Sequence, residues 1–177
     1  MNVSIILPSL NPDEKLMKVV NGLVAQGFDD IIIVNDGSDA EHINPFKEAS
    51  LLNQCTILTH EANKGKGRAL KTAFEYFLEN RKGKAGVITV DGDNQHRPED
   101  IYNCCDEMLA NPHTIVLGSR NFSQDDVPKK SRYGNRITSF VFKVAVGLKI
   151  TDTQTGLRAI PTEFLEGFLK VDGERFE

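Results

Sequence analysis

Val87-Ile88-Thr89-Val90-Asp91-Gly92-Asp93-Asn94-Gln95-His96-Arg97-Pro98 is the stretch from which the rest of the chain can be read. A run of β-branched residues stops at two aspartates one residue apart, and polar side chains and a proline follow. The run is a buried strand, and its abrupt polar end puts acidic groups where the strand leaves its sheet. In extended backbone, side chains two apart share a face, so Asp91 and Asp93 are expected to aim together beyond the strand end. At roughly 6–7 Å and an effective dielectric near 20, two carboxylates repel by about 2–3 kcal/mol. A shared divalent cation, Mg²⁺ or Mn²⁺, reverses that sign, and such ions complete their oxygen shell with substrate phosphates. The same four residues, Asp-Gly-Asp-Asn, also read as a plain turn, since all three residue types are turn formers. A calcium EF-hand is excluded. Gln95 and His96 stand where that loop needs an acidic ligand and a glycine, and Tyr102 where it needs the closing glutamate.

Working outward, Val3–Leu7 and Ile31–Val34 are further buried strands, with shorter ones at Thr56–Thr59 and Thr114–Leu117. Helical spacing links them. Leu16, Val19, Val20, Leu23 and Val24 form one stripe between Asp13 and Gly27. Leu70, Ala73, Phe74, Phe77 and Leu78 form a second, and Ile101, Cys104, Cys105, Met108 and Leu109 a third that starts at Pro98. A less regular helix covers part of 40–52, a helix is expected over Arg132–Ile150, and a short strand near Ile160 precedes an amphipathic stretch over Glu163–Leu169. Continuous apolar strands alternating with amphipathic helices predict an α/β fold with a mostly parallel central sheet and helices on both faces. Such sheets bind ligands beyond the carboxyl ends of their strands. Polar residues collect at those ends: Asn11, Asp36, Asp91 with Asp93, and Arg120.

The 177 residues suit a single domain, and the 40% hydrophobic and 26% charged residues are ordinary for a globular protein. A net charge of −4 argues against a nucleic-acid-binding surface. It also means that an anionic substrate must be held by a local basic cluster or by a metal. Cys55, Cys104 and Cys105 have no disulfide or zinc spacing and read as buried small hydrophobes in a reducing, cytosolic setting. The N-terminus lacks a basic segment before its short apolar run, and no window approaches the ~20 apolar residues of a membrane span. The last residues, Glu174-Arg175-Phe176-Glu177, carry no cap or polar tail, so the domain is expected to be cut short there.

Gly65-Lys66-Gly67-Arg68 lacks the third glycine of a dinucleotide fingerprint, because Leu70 takes its place, and no Gly-Lys-Ser/Thr follows to make a phosphate loop. A basic, glycine-loosened loop beside a nucleotide and a merely flexible loop both fit. The motifs gain meaning as a set. Pro8-Ser9-Leu10-Asn11, Asn35-Asp36-Gly37-Ser38-Asp39, Asn63-Lys64-Gly65-Lys66-Gly67 and Asp91-Gly92-Asp93-Asn94-Gln95-His96-Arg97-Pro98-Glu99 occur in this order over essentially the whole chain. This order resembles the family 2 glycosyltransferases, inverting enzymes with the nucleotide-sugar-binding GT-A fold. Gln95-His96, Gly118-Ser119-Arg120 and Asp152-Thr153-Gln154-Thr155-Gly156-Leu157-Arg158 narrow the resemblance to the dolichyl- or polyprenyl-phosphate glycosyltransferase branch.

The resemblance implies a hexosyl transfer from a UDP- or GDP-linked donor to a lipid phosphate, carried out in the cytoplasm at the inner face of a membrane. It places Asp36 against the base, with Pro8, Leu10 and Asn11 lining the same pocket through backbone contacts and Lys66 and Gly67 bordering it. Asp91 and Asp93 match the metal-holding Asp-x-Asp motif, with Gln95 beside them. Residues 1–120 then form the nucleotide part and 121–177 the acceptor side. Arg120 and Arg132 are the candidates for gripping the acceptor phosphate, because guanidinium suits phosphate oxygens bidentately, and Arg136 is an alternative. Ser119, Gly156 and Arg158 fall in the sugar or acceptor pocket. A lipid phosphate is already ionised near neutrality and needs no general base, whereas a sugar hydroxyl of a surface polysaccharide does. Asp152 is the base candidate in the second case and a pocket residue in the first. A non-catalytic nucleotide-binding module is the reading from another class.

Overall fold

The computed structural model describes residues 1–118 and 156–173. Its elements run β1 (Val3–Ser9), α1 (Lys15–Ala25), β2 (Ile31–Asn35), a 3-10 turn (Ala40–His42), α2 (Asn44–Ser50), β3 (Cys55–Thr59) and α3 (Lys66–Asn80). They continue with β4 (Gly86–Thr89), α4 (Pro98–Ala110), β5 (Val116–Leu117), β6 (Arg158–Pro161) and α5 (Thr162–Leu169). The loop 121–131 and the helix expected over Arg132–Ile150 lie outside the described residues.

Local chemistry explains the boundaries. Gly27, at φ +86°, ends α1: its amide bonds the Val24 carbonyl while Phe28 reaches back to Leu23, the Schellman arrangement that satisfies a helix end. Pro98 opens α4, where its missing amide costs nothing, and Glu99 and Asp100 follow in the first turn, where negative charge is favoured.

The six strands form one sheet in the order β3-β2-β1-β4-β6-β5. The first four run parallel, with Ile5 opposite Ile31 and Ile88, and Ile33 opposite Ile57. Strand parity divides the core. Ile5, Leu7, Ile33 and Ile88 pack with Leu16, Val20, Leu23, Phe46, Ile101 and Met108 from α1, α2 and α4. Ile6, Ile32, Val34 and Val87 face Ala69, Ala73, Phe74 and Phe77 of α3 and Leu165 of α5 on the other side. Phe74 and Phe168 meet edge to face at 6.2 Å. Helices therefore cover both faces, as the strand pattern requires. Among the described residues no helix is long and apolar enough to cross a membrane.

One pairing departs from simple succession. The strand that follows β4 in the chain, β5, does not lie beside it. Instead β6, from far later, runs antiparallel between them, with Thr89 opposite Arg158 and Val116 opposite Ala159. Gly86 permits the close approach, since a Cβ there would stand 2.4 Å from the Ile160 carbonyl oxygen. Gly86→Ala is expected to destabilise the domain by about 1–3 kcal/mol through this overlap. Urea unfolding read by circular dichroism checks the value.

Candidate functional site

The carboxyl ends of β1, β2, β3 and β4 all open onto one edge of the sheet, and the polar loops after them interlock there. Asp36 is the first residue after β2 and is 3% exposed. Its amide donates to the Ser9 carbonyl at 2.9 Å, which ties the end of β2 to β1. Its carboxylate accepts three donors: His60 Nδ1 at 2.7 Å and the Lys64 amide at 2.9 Å on Oδ1, and the Gly65 amide at 2.8 Å on Oδ2. Gly37, at φ +72°, passes so near the same loop that a Cβ would stand 2.3 Å from the Ala62 carbonyl carbon. The Asn-Asp-Gly-Ser-Asp and Asn-Lys-Gly-Lys-Gly motifs thus form one folded unit.

Asn11 clamps the first loop to the second. Its side chain donates to Asp39 Oδ2 at 2.8 Å and accepts the Asp39 amide at 2.9 Å, while its own amide donates to Ser38 Oγ. The φ of +47° that this requires is one asparagine tolerates.

Two adjoining cavities share the wall Pro8–Ser9–Leu10. One, of about 370 Å³, is completed by Asp36, Asn63, Gly65, Lys66 and Ala69. The other, of about 270 Å³, is completed by Asn11, Pro12, Asp13, Lys15, Gly92 and Asp93. Pro8 and Leu10 therefore line the same cavity as Asp36, and Asn11 lines the second. Ser9, not singled out by the sequence, lines both; its Oγ is buried and has no hydrogen-bond partner among the described residues. Its place between Pro8 and Leu10 was the available signal.

Asp91 and Asp93 face different surroundings. Regular strand ends at Thr89, and Asn94 takes φ +63° in the turn that follows, so strand parity does not aim the two carboxylates. Asp93 is exposed, lines the second cavity, and accepts the Gln95 amide on Oδ1 at 3.1 Å; Gln95 is exposed beside it. Asp91 is half-buried between helix α3 and Gly156. Lys66 Nζ lies 3.0 Å from Oδ1 and His96 Nε2 3.9 Å from Oδ2. The His96 ring, against the opposing effect of burial and together with the Lys66 ammonium, holds the Asp91 carboxyl well below the usual carboxylate range. At 3.9 Å the histidine lies beyond hydrogen-bond distance, and the ammonium is the direct tie.

Gly156 explains itself here. A Cβ on it would lie 2.0 Å from Asp91 Oδ2, and its carbonyl accepts the Thr89 hydroxyl at 2.8 Å. Arg158 and Gly67 line a neighbouring, mostly apolar cavity of about 220 Å³ with Leu70, Phe74, Ile160 and Phe168. Ser119, Arg120, Arg132, Arg136 and Asp152 lie outside the described residues. Among those described, no three His, Cys, Asp or Glu side chains gather into a ready metal cage. Carboxylate oxygens from Asp91 and Asp93 suit a hard cation in type, and an ion held by two protein groups keeps positions for phosphate oxygens.

The family model for glycosyl transferase family 2 matches residues 4–168. The chain belongs to that family. The family 2 domain is 31% identical to a UDP-N-acetylglucosamine–dolichyl-phosphate N-acetylglucosaminyltransferase of Methanococcus voltae, over 98% of this chain and 73% of that one. Its fold is similar to that of glucosyl-3-phosphoglycerate synthase from Mycobacterium tuberculosis in complex with Mn²⁺, UDP-glucose and phosphoglyceric acid. That likeness has a TM-score of 0.67 at 15% identity and covers 92% of this chain and 57% of that one. S. aureus TarS 1-349 in complex with UDP-GlcNAc aligns at a TM-score of 0.55 and 17% identity, over 74% of this chain and 38% of that one. The chain is thus a family 2 glycosyltransferase domain with the GT-A architecture, spanning part of the length of these proteins.

The depressed Asp91 carboxyl gives this glycosyltransferase site a pH signature. A folded pKa below the ordinary 3.8 means that Asp91 contributes stability fully above the unfolded value, and that the contribution is lost as pH falls below 3.8 toward the folded value. The stability gap between the native chain and Asp91→Asn is therefore expected to be wide near about pH 6 and narrower near about pH 3. Urea unfolding of both proteins at the two pH values measures it, and an equal gap at both rules out the ionic tie.

Proposed function

We propose that this domain is the donor-binding part of an inverting, metal-dependent transferase that moves a hexose from a UDP-sugar to a polyprenyl- or dolichyl-phosphate type of lipid. The observation that carries the reading is the pair of cavities joined along Pro8–Leu10, with Asp36 lining one and Asp93 the other. A base fits the first and a diphosphate the second, with Ser9 Oγ between them as a spare hydrogen-bonding group.

Uracil is favoured over guanine by acceptor count. Oδ1 of Asp36 already receives two donors and Oδ2 one, which leaves a single position on Oδ2. Uracil offers one imide N–H, whereas guanine presents two adjacent donors that call for a carboxylate with both oxygens open. The UDP-sugar in the name of the Methanococcus voltae relative agrees with this choice, and the dolichyl phosphate in that name supports the lipid acceptor.

Asp91 and Asp93, with Gln95 beside them, would hold a divalent cation, Mg²⁺ or Mn²⁺; the mycobacterial neighbour is a complex with Mn²⁺ and UDP-glucose together. When bound, the cation supplies Lewis-acid stabilisation of the leaving nucleoside diphosphate. Lys66 neutralises Asp91 and fixes its direction, and Gly156 makes room for it. In the transfer, an acceptor oxygen forms its bond to the anomeric carbon on the face opposite the departing diphosphate. Arg120 and Arg132, with Arg136 and Ser119 as neighbours in sequence, grip the acceptor phosphate; Asp152, Gly156 and Arg158 shape the sugar pocket. In this reading residues 1–120 bind the nucleotide, 121–177 serve the acceptor, and the whole works on the cytoplasmic face of a membrane.

Calorimetric titration with UDP and with GDP, each with Mn²⁺ and with a chelator, tests the donor assignment. Binding of UDP with Mn²⁺ is expected, with weaker binding of GDP. Asp93→Ala is expected to lower the UDP affinity about tenfold or more, at least the cost of losing an outer-shell partner of a metal site. Binding that ignores both the chelator and Asp93→Ala rejects the metal assignment. Turnover separates the acceptors: a lipid phosphate is still glycosylated by Asp152→Asn, whereas a hydroxyl acceptor is not.

A further inference from the structure

His60 is a buried polar side chain at the carboxyl edge of the sheet to which the donor-site reading assigns no role. It stands one residue past β3, 8% exposed, and its amide continues the β2–β3 ladder by donating to the Asn35 carbonyl at 2.9 Å. The ring spans two elements. Nδ1 lies 2.7 Å from Asp36 Oδ1, and Nε2 lies 3.0 Å from Thr72 Oγ1 on α3. A carboxylate oxygen can only accept, so Nδ1 carries the proton, and in the neutral ring Nε2 accepts the Thr72 hydroxyl.

The other two donors to Asp36, the Lys64 and Gly65 amides, belong to a glycine-containing loop whose own course depends on Asp36. Both amides therefore sit on the loop that the carboxylate itself shapes. His60 instead ties it to a strand end and to a fifteen-residue helix. The same helix begins at Lys66, which reaches Asp91.

We propose that His60 is a positioning residue of the nucleotide site, resting on the donor-site reading above. It orients the Asp36 carboxylate so that the open position of Oδ2 faces the cavity of Pro8–Leu10, and it couples that orientation to α3. A group that contacts the ligand is only as well placed as the groups that hold it, which is why an unsupported carboxylate would bind the base less well.

Three variants of the full chain test the role. His60→Leu removes both ring hydrogen bonds, His60→Asn keeps an N–H near the place of Nδ1, and Thr72→Val removes the far contact alone. Each is titrated with UDP and with pyrophosphate in the presence of Mn²⁺. His60→Leu is expected to weaken UDP binding about tenfold, as for one charge-assisted hydrogen bond, and to leave pyrophosphate binding unchanged. His60→Asn is expected to recover most of the loss, and Thr72→Val to fall between. Equal losses for UDP and pyrophosphate in His60→Leu would mean a general structural role and overturn the proposal, as would UDP binding like that of the native chain. Should His60→Leu fail to fold, Thr72→Val decides: weakened UDP with unchanged pyrophosphate supports the role, and unchanged UDP removes it. If the native chain binds neither ligand, the donor-site reading itself falls and takes this one with it; if the native chain binds both and only the His60 effect is missing, the donor site stands.

Discussion

The antiparallel insertion of β6 beside β4 is the contact on which the functional edge depends. It requires a backbone at Gly86 with no side chain, and it brings Gly156 so near the Asp91 carboxylate that a Cβ there would overlap it. The Thr89 hydroxyl locks the junction by donating to the Gly156 carbonyl in a buried position, where leaving either group unpaired would cost about 1–3 kcal/mol. One strand pairing therefore joins the sheet interior to the surroundings of the Asp91 carboxylate.

Charge compensation follows the same logic. Asp36 is buried and Asp91 half-buried at the strand ends, and each is matched by donors from a different part of the chain. Asp36 takes two amides and an imidazole; Asp91 takes an ammonium and a more distant imidazole. Asp36 is thereby committed to shaping its loop, with one acceptor position left. Asp91 sits in an ionic contact that a cation of higher charge could share. Asp93 stays exposed in a turn, bonded to its own loop. At the opposite end of the sheet Asp30 plays a purely architectural part, joined to Arg81 and Lys84 and so fastening the end of α3 to the start of β2. The contrast separates acidic residues that hold the fold from those that leave capacity for a ligand.

The elements themselves were readable because hydrophobic burial writes its period into neighbouring residues. The stripes of Leu16 to Val24, Leu70 to Leu78 and Ile101 to Leu109 and the apolar strands required no knowledge of partners. The ordered motifs similarly pointed to Pro8, Leu10, Asp36 and Lys66, which the fold gathers around one cavity. Strand parity was a poor guide to Asp91 and Asp93, because it holds only while the backbone stays extended, and the chain turns after Thr89. The contacts of His60 were not legible, since a histidine outside every motif carries no local pattern.

The sequence by itself determined the α/β class, the helix and strand sequence, and the set of polar residues available at the strand ends, since these follow from local periodicity and turn chemistry. Tertiary structure alone decided the order β3-β2-β1-β4-β6-β5 and the partners of each polar group. Asp36 meets His60 across 24 residues and Thr89 meets Gly156 across 67. Such meetings depend on which backbones can approach closely, and on burial penalising every donor and acceptor left unpaired, neither of which a short window of sequence contains.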